Sequence, residues 1–582
     1  MHLMRGESDR AGAAARGPWG WMTTACETAV ILGVFAAVAA WPVPDVNETA
    51  YLTKARHAFD PSWCRGDFFL ETPDAHGVFY LLMGPLTAAV TLERAAWIGR
   101  WLGWLALAVG FRHAVVPLLA TGTARVLAAA LMALLLGHTT AAGEWVFGGC
   151  EAKVFAWALV LAAIGEIERD RLRISWLLLG CATAVHPVVG GWGLVALVAT
   201  VASFRTAGHS AVAADTAGLP DRWAVTVVVL VVGLLLAAAG VVPALGLSAG
   251  ADAATRAAAA RIHVVERLPH HLLPRTFADG MLARHCLAAV LWWLLGRLRA
   301  AKTAPRGGGD GASWQRVDRF ILAALGIECA GHLIAACEPF APGTVYSVLR
   351  FYWFRLADVL VPFGLATVAT AVVCDDRLLE RFVPVRPFWG RFCVLLVVLA
   401  GLVHESRHWP LPGRTTPAAR SDTKVDAIQW REACDWVAAH APADACFLTP
   451  RGAASFTWWT GRREVVGWKN SPQDARSLVE WRRRFADCFS RDGSFTTLER
   501  STAAFGADRV RQVAERYGAT HAIVPRDLPA AADLPFDLLH ANRGYLVYDL
   551  APIEATDPGL APGAGRAVPE AKPPVAPRES TP

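Results

Sequence analysis

Charge is scarce in this 582-residue chain: Asp, Glu, Lys and Arg make up only 18% of it, against 54% hydrophobic residues and a mean hydropathy of +0.34. A soluble globular chain of this length cannot hide so much apolar surface, so we expect a polytopic α-helical membrane protein. Paired cysteines are lacking too. The 12 Cys form no CxxC pair and no zinc spacing, and most sit in apolar stretches as small hydrophobes. Cys434, Cys446 and Cys488 are an odd set in the C-terminal domain, so a complete internal disulfide framework is impossible there. No GxSxG, P-loop, GxGxxG or HExxH occurs in a supporting context, which argues against a soluble-type hydrolase, nucleotidase or metalloprotease. The net charge of +6 is modest and confined to a few loops, so it carries topology information and points to no nucleic-acid partner.

What is present is apolar and regularly interrupted. Residues 1–22 carry Arg5, Arg10 and Arg16 and are expected to stay cytoplasmic. The first span, Thr24 to Trp41, ends in a sequence like a signal-peptidase site, yet it is read as an uncleaved anchor because the rest of the chain is membrane-embedded. Residues 23–404 form the transmembrane domain, with about eleven spans, several of which must extend into flanking residues to reach ~20. If Val78 to Val90 also crossed, the basic linker Arg297 to Arg319 would fall outside, so that piece is expected to lie half-inserted or interfacial. Residues 405–423 form a linker. Residues 424–550 mix helical periodicity (Val425 to His440, Ala475 to Phe489) with strand-like ACFLTP, REVVGW, HAIVP and an edge-like GYLVYDL, which suggests a small extracytoplasmic α/β domain. The Pro- and Ala-rich tail 551–582 has little to bury and is expected to be disordered.

The polar residues gather in the predicted outer segments. The first outer loop, residues 43–80, holds eleven ionisable groups, among them Asp45, Glu48, Asp74 and His76, more than a turn between spans needs. GEWVFGGCEAK sets Glu144, Glu151 and Lys153 at the mouth of a span, as interfacial anchors or as functional groups. His186 sits at a Pro-Gly break in AVHPVVGGW, either a helix-end residue or a ligand. RIHVVERLPHHLLPRT matches no zinc signature and reads best as an interfacial amphipathic helix. Arg350 and Arg355 flank FYWF, five residues apart and so separated around a helix, where they snorkel to headgroups or grip a phosphate. The TPRGAASFTWWTGRREVVGWKNSPQDA stretch is dense in Trp, Arg and Lys, suited to clamping a sugar or phosphate or to packing on the membrane portion.

The order from Val46 to Val198 resembles the N-terminal core of the GT-C class of membrane glycosyltransferases. In that class an acidic pair followed by a tyrosine opens the first outer loop, a second acidic residue precedes a later span, and a basic residue follows two spans on. Asn47-Glu48-Thr49-Ala50-Tyr51, Glu151 in GGCEAKVFAW and His186 match these three places. The whole chain also resembles an uncharacterised bacterial family of multi-spanning proteins.

The class resemblance implies sugar transfer from a polyprenyl-phosphate carrier to a glycan, lipid or protein acceptor on the outer face of the bacterial cytoplasmic membrane, with a divalent metal as a possible cofactor that nothing in the sequence requires. Asn47 stands where the class has an aspartate, and an amide cannot take a proton as a carboxylate does. Asp45 or Glu48 is then expected as the base, with Glu151 holding the acceptor or a metal. Alternatively, the reaction is lost or changed. Lys153, His186, Arg350, Arg355, His76 and Glu144 are the expected substrate- and phosphate-binding set. The competing readings are a transporter or lipid-handling protein, whose charges line a pathway, and a non-catalytic glycan-binding member of the fold.

Overall fold

The computed structural model describes residues 20–206, 220–303, 310–376, 387–413, 417–529, 531 and 533–550. The expectations for the start of the N-terminal segment, the middle of the basic linker, three residues of the 405–423 linker and the tail lie outside the described residues.

Apolar runs become helices. They are α1 (Gly20–Ala39), α2 (Glu48–Phe59), α3 (Gly77–Ala89), α4 (Leu92–Val115), α5 (Gly122–Leu136), α6 (Ala152–Glu168), α7 (Leu172–Val185), α8 (Pro187–Thr206), α9 (Pro220–Gly246), α10 (Ala253–Arg261), α11 (Met281–Thr303), α12 (Asp310–Ala336), α13 (Pro342–Leu349), α14 (Arg355–Cys374) and α15 (Pro387–Ser406). Seven of them, α1, α8, α9, α11, α12, α14 and α15, are long and apolar enough among the described residues to cross a membrane, and the chain is a multi-pass membrane protein. Helices α4 to α7 also coincide with expected spans. They fall short of that measure because α4 carries Glu93, Arg94, Arg100 and Arg112 and the other three are 14 to 17 residues long.

Aromatic side chains such as Trp104, Phe111, Trp157, Phe320 and Phe363 fill the bundle interior and are fully buried. Small residues let the backbones close between them. A Cβ added at Gly180 on α7 would sit 2.6 Å from the Gly233 carbonyl oxygen of α9, a crossing that only glycine permits. Helix α3 has 13 residues. At about 20 Å it is shorter than the hydrocarbon core. It lies against α2 with Leu81 and Leu82 exposed.

The C-terminal domain contains α16 (Ala427–His440), α17 (Ala475–Phe489) and α18 (Ala507–Tyr517) around a five-stranded sheet. The strands are β1 (Cys446–Leu448), β2 (Arg463–Glu464), β3 (His521–Pro525), β4 (Asp537–Ala541) and β5 (Tyr545–Asp549), in the order β2-β1-β3-β5-β4. β1 runs parallel to β2 and β3, whereas β5 is antiparallel to β3 and β4. Alternate residues serve opposite faces. Cys446, Leu448, Ala522, Val524, Leu546 and Tyr548 pack on α17 and α18, while Phe447, Ile523 and Val547 pack on Trp430, Ala433 and Val437 of α16.

Two strand expectations need correcting. GYLVYDL is not at the edge: β4, which the sequence reading missed, covers it and is itself largely exposed. Of REVVGW only Arg463 and Glu464 pair as strand.

Two outer segments also differ from expectation. RIHVVERLPHHLL does not form one continuous amphipathic helix. Helix α10 runs into a π-helical turn, Ile262–Arg267, whose Val264 packs with Leu272, Leu273, Val345 and Leu349 in a small core of its own. Arg350 and Arg355 are not on one helix either. The chain breaks between α13 and α14 with Tyr352 at φ +56°, so the two arginines are freed from helical separation.

Candidate functional site

A cavity of about 750 Å³ opens where the polar 43–80 loop, the bundle and the C-terminal domain meet. The three bodies are fastened around it. Asp67 accepts from the amides of Phe69 and Leu70 and, at 3.1 Å, from that of Glu464 on β2. Arg420 reaches Asp45 at 3.3 Å, and Gln473 accepts from the Ala75 amide and donates toward His76.

The segment between α5 and α6 is irregular and buried, so its backbone groups need partners that a solvated loop would find in water. The fold supplies them from side chains. Asp358 on α14 accepts from the amides of Ala141 (2.5 Å), Ala142 (3.1 Å) and Glu144 (3.2 Å). Trp104 donates to the Gly148 carbonyl at 3.0 Å. Glu48 accepts from the Cys150 amide at 2.7 Å, and a Cβ at Gly149 would lie 2.7 Å from its Cγ.

This scaffolding decides where the expected catalytic carboxylates stand. Glu48 Oε1 accepts from Arg100 Nε and the Cys150 amide, and its Oε2 from Arg100 Nη2 and the Asp45 amide, all at 2.7 Å. With no exposure and all its acceptor positions engaged, Glu48 has no lone pair to offer a substrate, and it does not line the cavity. Asp45 is 1% exposed, bonds the Val46 amide and Arg420, and also lies off the lining. The other seven expected residues, Glu144, Glu151, Lys153, His186, His76, Arg350 and Arg355, all line the one cavity.

Asn47 lines it too. Its position should cap α2, but the side chain makes no capping bond and instead donates to Glu151 Oε2 at 3.1 Å. Lys153 Nζ lies 3.6 Å from the same oxygen and 3.5 Å from Glu144 Oε1, over the Trp145 ring. Glu144 Oε2 is 2.9 Å from Arg355 Nε. Glu151 Oε1, on a side chain 1% exposed, has no hydrogen-bond partner. Burial raises the Glu151 carboxyl above its ordinary range, with Lys153 and Asn47 opposing the shift.

The remaining wall is cationic and aromatic. Arg350 donates to Ser248 at 3.3 Å, and Arg267 lies over Trp468 with its Nε unpartnered. Burial pushes Arg267 down to about 10, and burial with neighbouring Arg267 pushes Lys469 down to about 8. His186 accepts from the Val189 amide, its ring is 5.0 Å from that of His76, and burial holds its imidazole neutral. His76 is bound to Asp74 at 2.7 Å. Lys153, Arg267, Arg350, Arg355 and Lys469 face Asp74, Glu144 and Glu151, five cations against three carboxylates and a formal excess of two positive charges. Another part of the lining is apolar, with Val188, Val195, Val241 and Leu245 from α8 and α9, of which Val195, Val241 and Leu245 are exposed.

Among the described residues no group of three His, Cys, Asp or Glu converges as a metal-ligand set. At Glu151 the donor set does not fit a divalent cation, because the Lys153 ammonium 3.6 Å from Oε2 already neutralises the carboxylate and repels a second cation, and Asn47 adds a neutral donor where a ligand carboxylate would serve.

Sequence reasoning set Asn47 aside as a defect and missed Tyr51, His263, Arg267, His271, Lys469 and Gln473 as lining residues. The only signals were the basic His-rich run and the Trp- and Lys-dense stretch, neither of which marks a partner across the fold.

Residues 428–488 match a family model described as a domain of unknown function, DUF6798. No curated protein matches the chain. The chain is similar to the apo oligosaccharyltransferase of Archaeoglobus fulgidus at 11% identity, over 86% of this chain and 69% of that one, with a TM-score of 0.42. It is similar to ArnT from Cupriavidus metallidurans bound to undecaprenyl phosphate at 14% identity, over 91% and 98%, with a TM-score of 0.41. A third similar structure is the arabinofuranosyltransferase AftD from Mycobacteria, at 14% identity over 92% of this chain and 41% of that one, with a TM-score of 0.40.

Proposed function

We propose that this cavity is the active site of a membrane glycosyltransferase that takes a sugar from a polyprenyl-phosphate carrier, with Glu151 as the base. The observation that carries the reading is the Glu151 carboxylate: one oxygen is held by Asn47 and Lys153 and the other is buried, unpartnered and at the cavity. An apolar wall of two membrane helices suits a polyprenyl chain, and the facing cations suit its phosphate.

In this reading the acceptor hydroxyl gives its proton to Glu151 Oε1 while its oxygen bonds to the anomeric carbon. The bond from that carbon to the phosphate oxygen breaks, and the electron pair leaves with polyprenyl phosphate. Arg350 and Arg267 offset the charge that develops there. Lys153 and Arg355 hold Glu144 and Glu151 in place, Glu48 holds the Cys150 amide beside Glu151, and Asp45 ties its loop to Arg420. The lysine and arginine bias of the loops supports a cavity on the extracytoplasmic face of a bacterial cytoplasmic membrane, with about eleven helices crossing.

The test uses protein in lipid nanodiscs with radiolabelled polyprenyl-phosphate-linked pentose and hexose, following release of polyprenyl phosphate. Glu151→Gln is expected to lose transfer while folding normally. Wild-type turnover by that variant would sink the proposal.

A further inference from the structure

A second cavity, about 900 Å³, lies entirely within the outer domain and its lead-in, with every lining residue at position 420 or later. Its charge is lopsided: Arg420, Lys424, Arg451, Lys469, Arg500 and Arg543 line it, against Asp426 and Asp527, six cations and two carboxylates and a formal excess of four. Part of this set is spoken for. Arg420 pairs with Asp45, Arg500 with Asp527 at 2.7 and 3.0 Å, and Arg451 donates to the Glu499 carbonyl. Lys424, Lys469 and Arg543 have no carboxylate partner among the described residues, and Lys424 is exposed. Cations left unpaired along one concavity repel one another, and a bound anion relieves that repulsion.

The two cavities share a wall residue. Lys469 lines both, and its ammonium is lowered to about 8 by burial first and then by Arg267, with Lys424 and Lys153 acting in the same direction and Glu151 against. No residue of the membrane helices lines the groove, so a lipid headgroup seated there would have no wall for its chains. A water-soluble anion suits it, and Lys469 is where such a ligand meets the lining of the first cavity, to which Glu151 also belongs.

We infer that this groove binds an acidic glycan, a carbohydrate chain bearing carboxylate or phosphate groups, and feeds its acceptor hydroxyl past Lys469 to Glu151. The inference rests on the glycosyltransferase reading of the first cavity, and it names the acceptor class.

The experiment is binding of a fluorescent oligogalacturonate to the full-length protein in zwitterionic nanodiscs, measured by anisotropy. Binding is expected, weakening as salt is raised and falling about tenfold or more in Lys424→Glu/Arg543→Glu. The charge-retaining Lys424→Arg/Arg543→Lys is expected to bind as wild type, which separates lost charge from lost fold. Neutral dextran and polyglutamate of similar length are expected not to compete. Equal affinity in the charge-reversed variant, loss of binding in the charge-retaining one, or equal competition by dextran or polyglutamate each overturns the inference. Binding is also measured on Glu151→Gln. A wild-type protein that transfers sugar but binds no oligogalacturonate loses the groove and keeps the reaction. A Glu151→Gln protein that transfers normally loses the reaction, whatever the groove binds.

Discussion

Asn47 donates its side-chain amide to the Glu151 carboxylate at 3.1 Å, across 104 residues of sequence, and caps nothing on its own helix. A carboxylate at position 47 would place a second negative charge at that distance and disfavour ionisation of Glu151. The amide instead fixes Oε2 without competing for a proton and leaves Oε1 free.

Transfer should therefore have an acid limb set by Glu151. Burial raises this carboxyl, so its midpoint is expected above the ordinary glutamate value of about 4.3, with activity lost as pH falls through it. Asn47→Asp is expected to move that limb to higher pH, and Asn47→Ala to lower turnover about tenfold or more through lost orientation. A pH profile of transfer for the three proteins checks both. An acid limb unmoved by Asn47→Asp would remove the coupling.

Removal of metal should matter little at this donor set, because the Lys153 ammonium beside the Glu144 and Glu151 carboxylates repels a second cation. Transfer is expected to survive exhaustive chelation. Manganese binding, read by electron paramagnetic resonance, is expected to be absent at Glu151 in the wild type and to appear in Asn47→Asp/Lys153→Ala.

Glu48→Gln should act on folding. It breaks a buried pair with Arg100 whose charge is then left uncompensated, a loss of about 3–5 kcal/mol. Thermal unfolding in nanodiscs is expected to show a marked drop in Tm for Glu48→Gln and little change for Glu151→Gln. The reverse order would return Glu48 to the list of reacting groups.

Asp358→Asn should uncouple position from chemistry. It weakens the hold on the amides of Ala141, Ala142 and Glu144, so the Glu144 contact with Arg355 loosens. A lower kcat with the Glu151 acid limb unshifted is expected, which a direct proton-transfer role for Asp358 would not give.

The C-terminal domain should lose stability as pH rises. Glu464 is buried beside Asp67, accepts from Asn470 and Thr449, and is pushed up to about 8 by burial and then by the Asp67 charge. A carboxyl raised in the folded state contributes stability that is full below its unfolded value of about 4.3 and lost as pH climbs through about 8. Melting temperature is expected to fall over that window, and Glu464→Gln to flatten the fall.

The sequence by itself determined the long apolar helices and the α/β character of the C-terminal domain, though not its strand β4. A long apolar run, or an alternation such as HAIVP, has a local cause: chain hydrophobicity and backbone periodicity act within a few residues of one another. It also brought out seven polar residues that line the first cavity, because ionisable groups at span boundaries stand out against an apolar background.

Tertiary structure alone decided what each one does. Glu48 and Asp45 are the more reactive residue types, yet Arg100, the Cys150 amide and Arg420 occupy them, while the apparently inert Asn47 faces the cavity and orients Glu151. The break at Tyr352 puts Arg350 and Arg355 on one cavity, where a continuous helix would have separated them. Whether a carboxylate is free depends on which donors reach its lone pairs. Here those donors lie between 52 and 375 residues away, a distance no local pattern records.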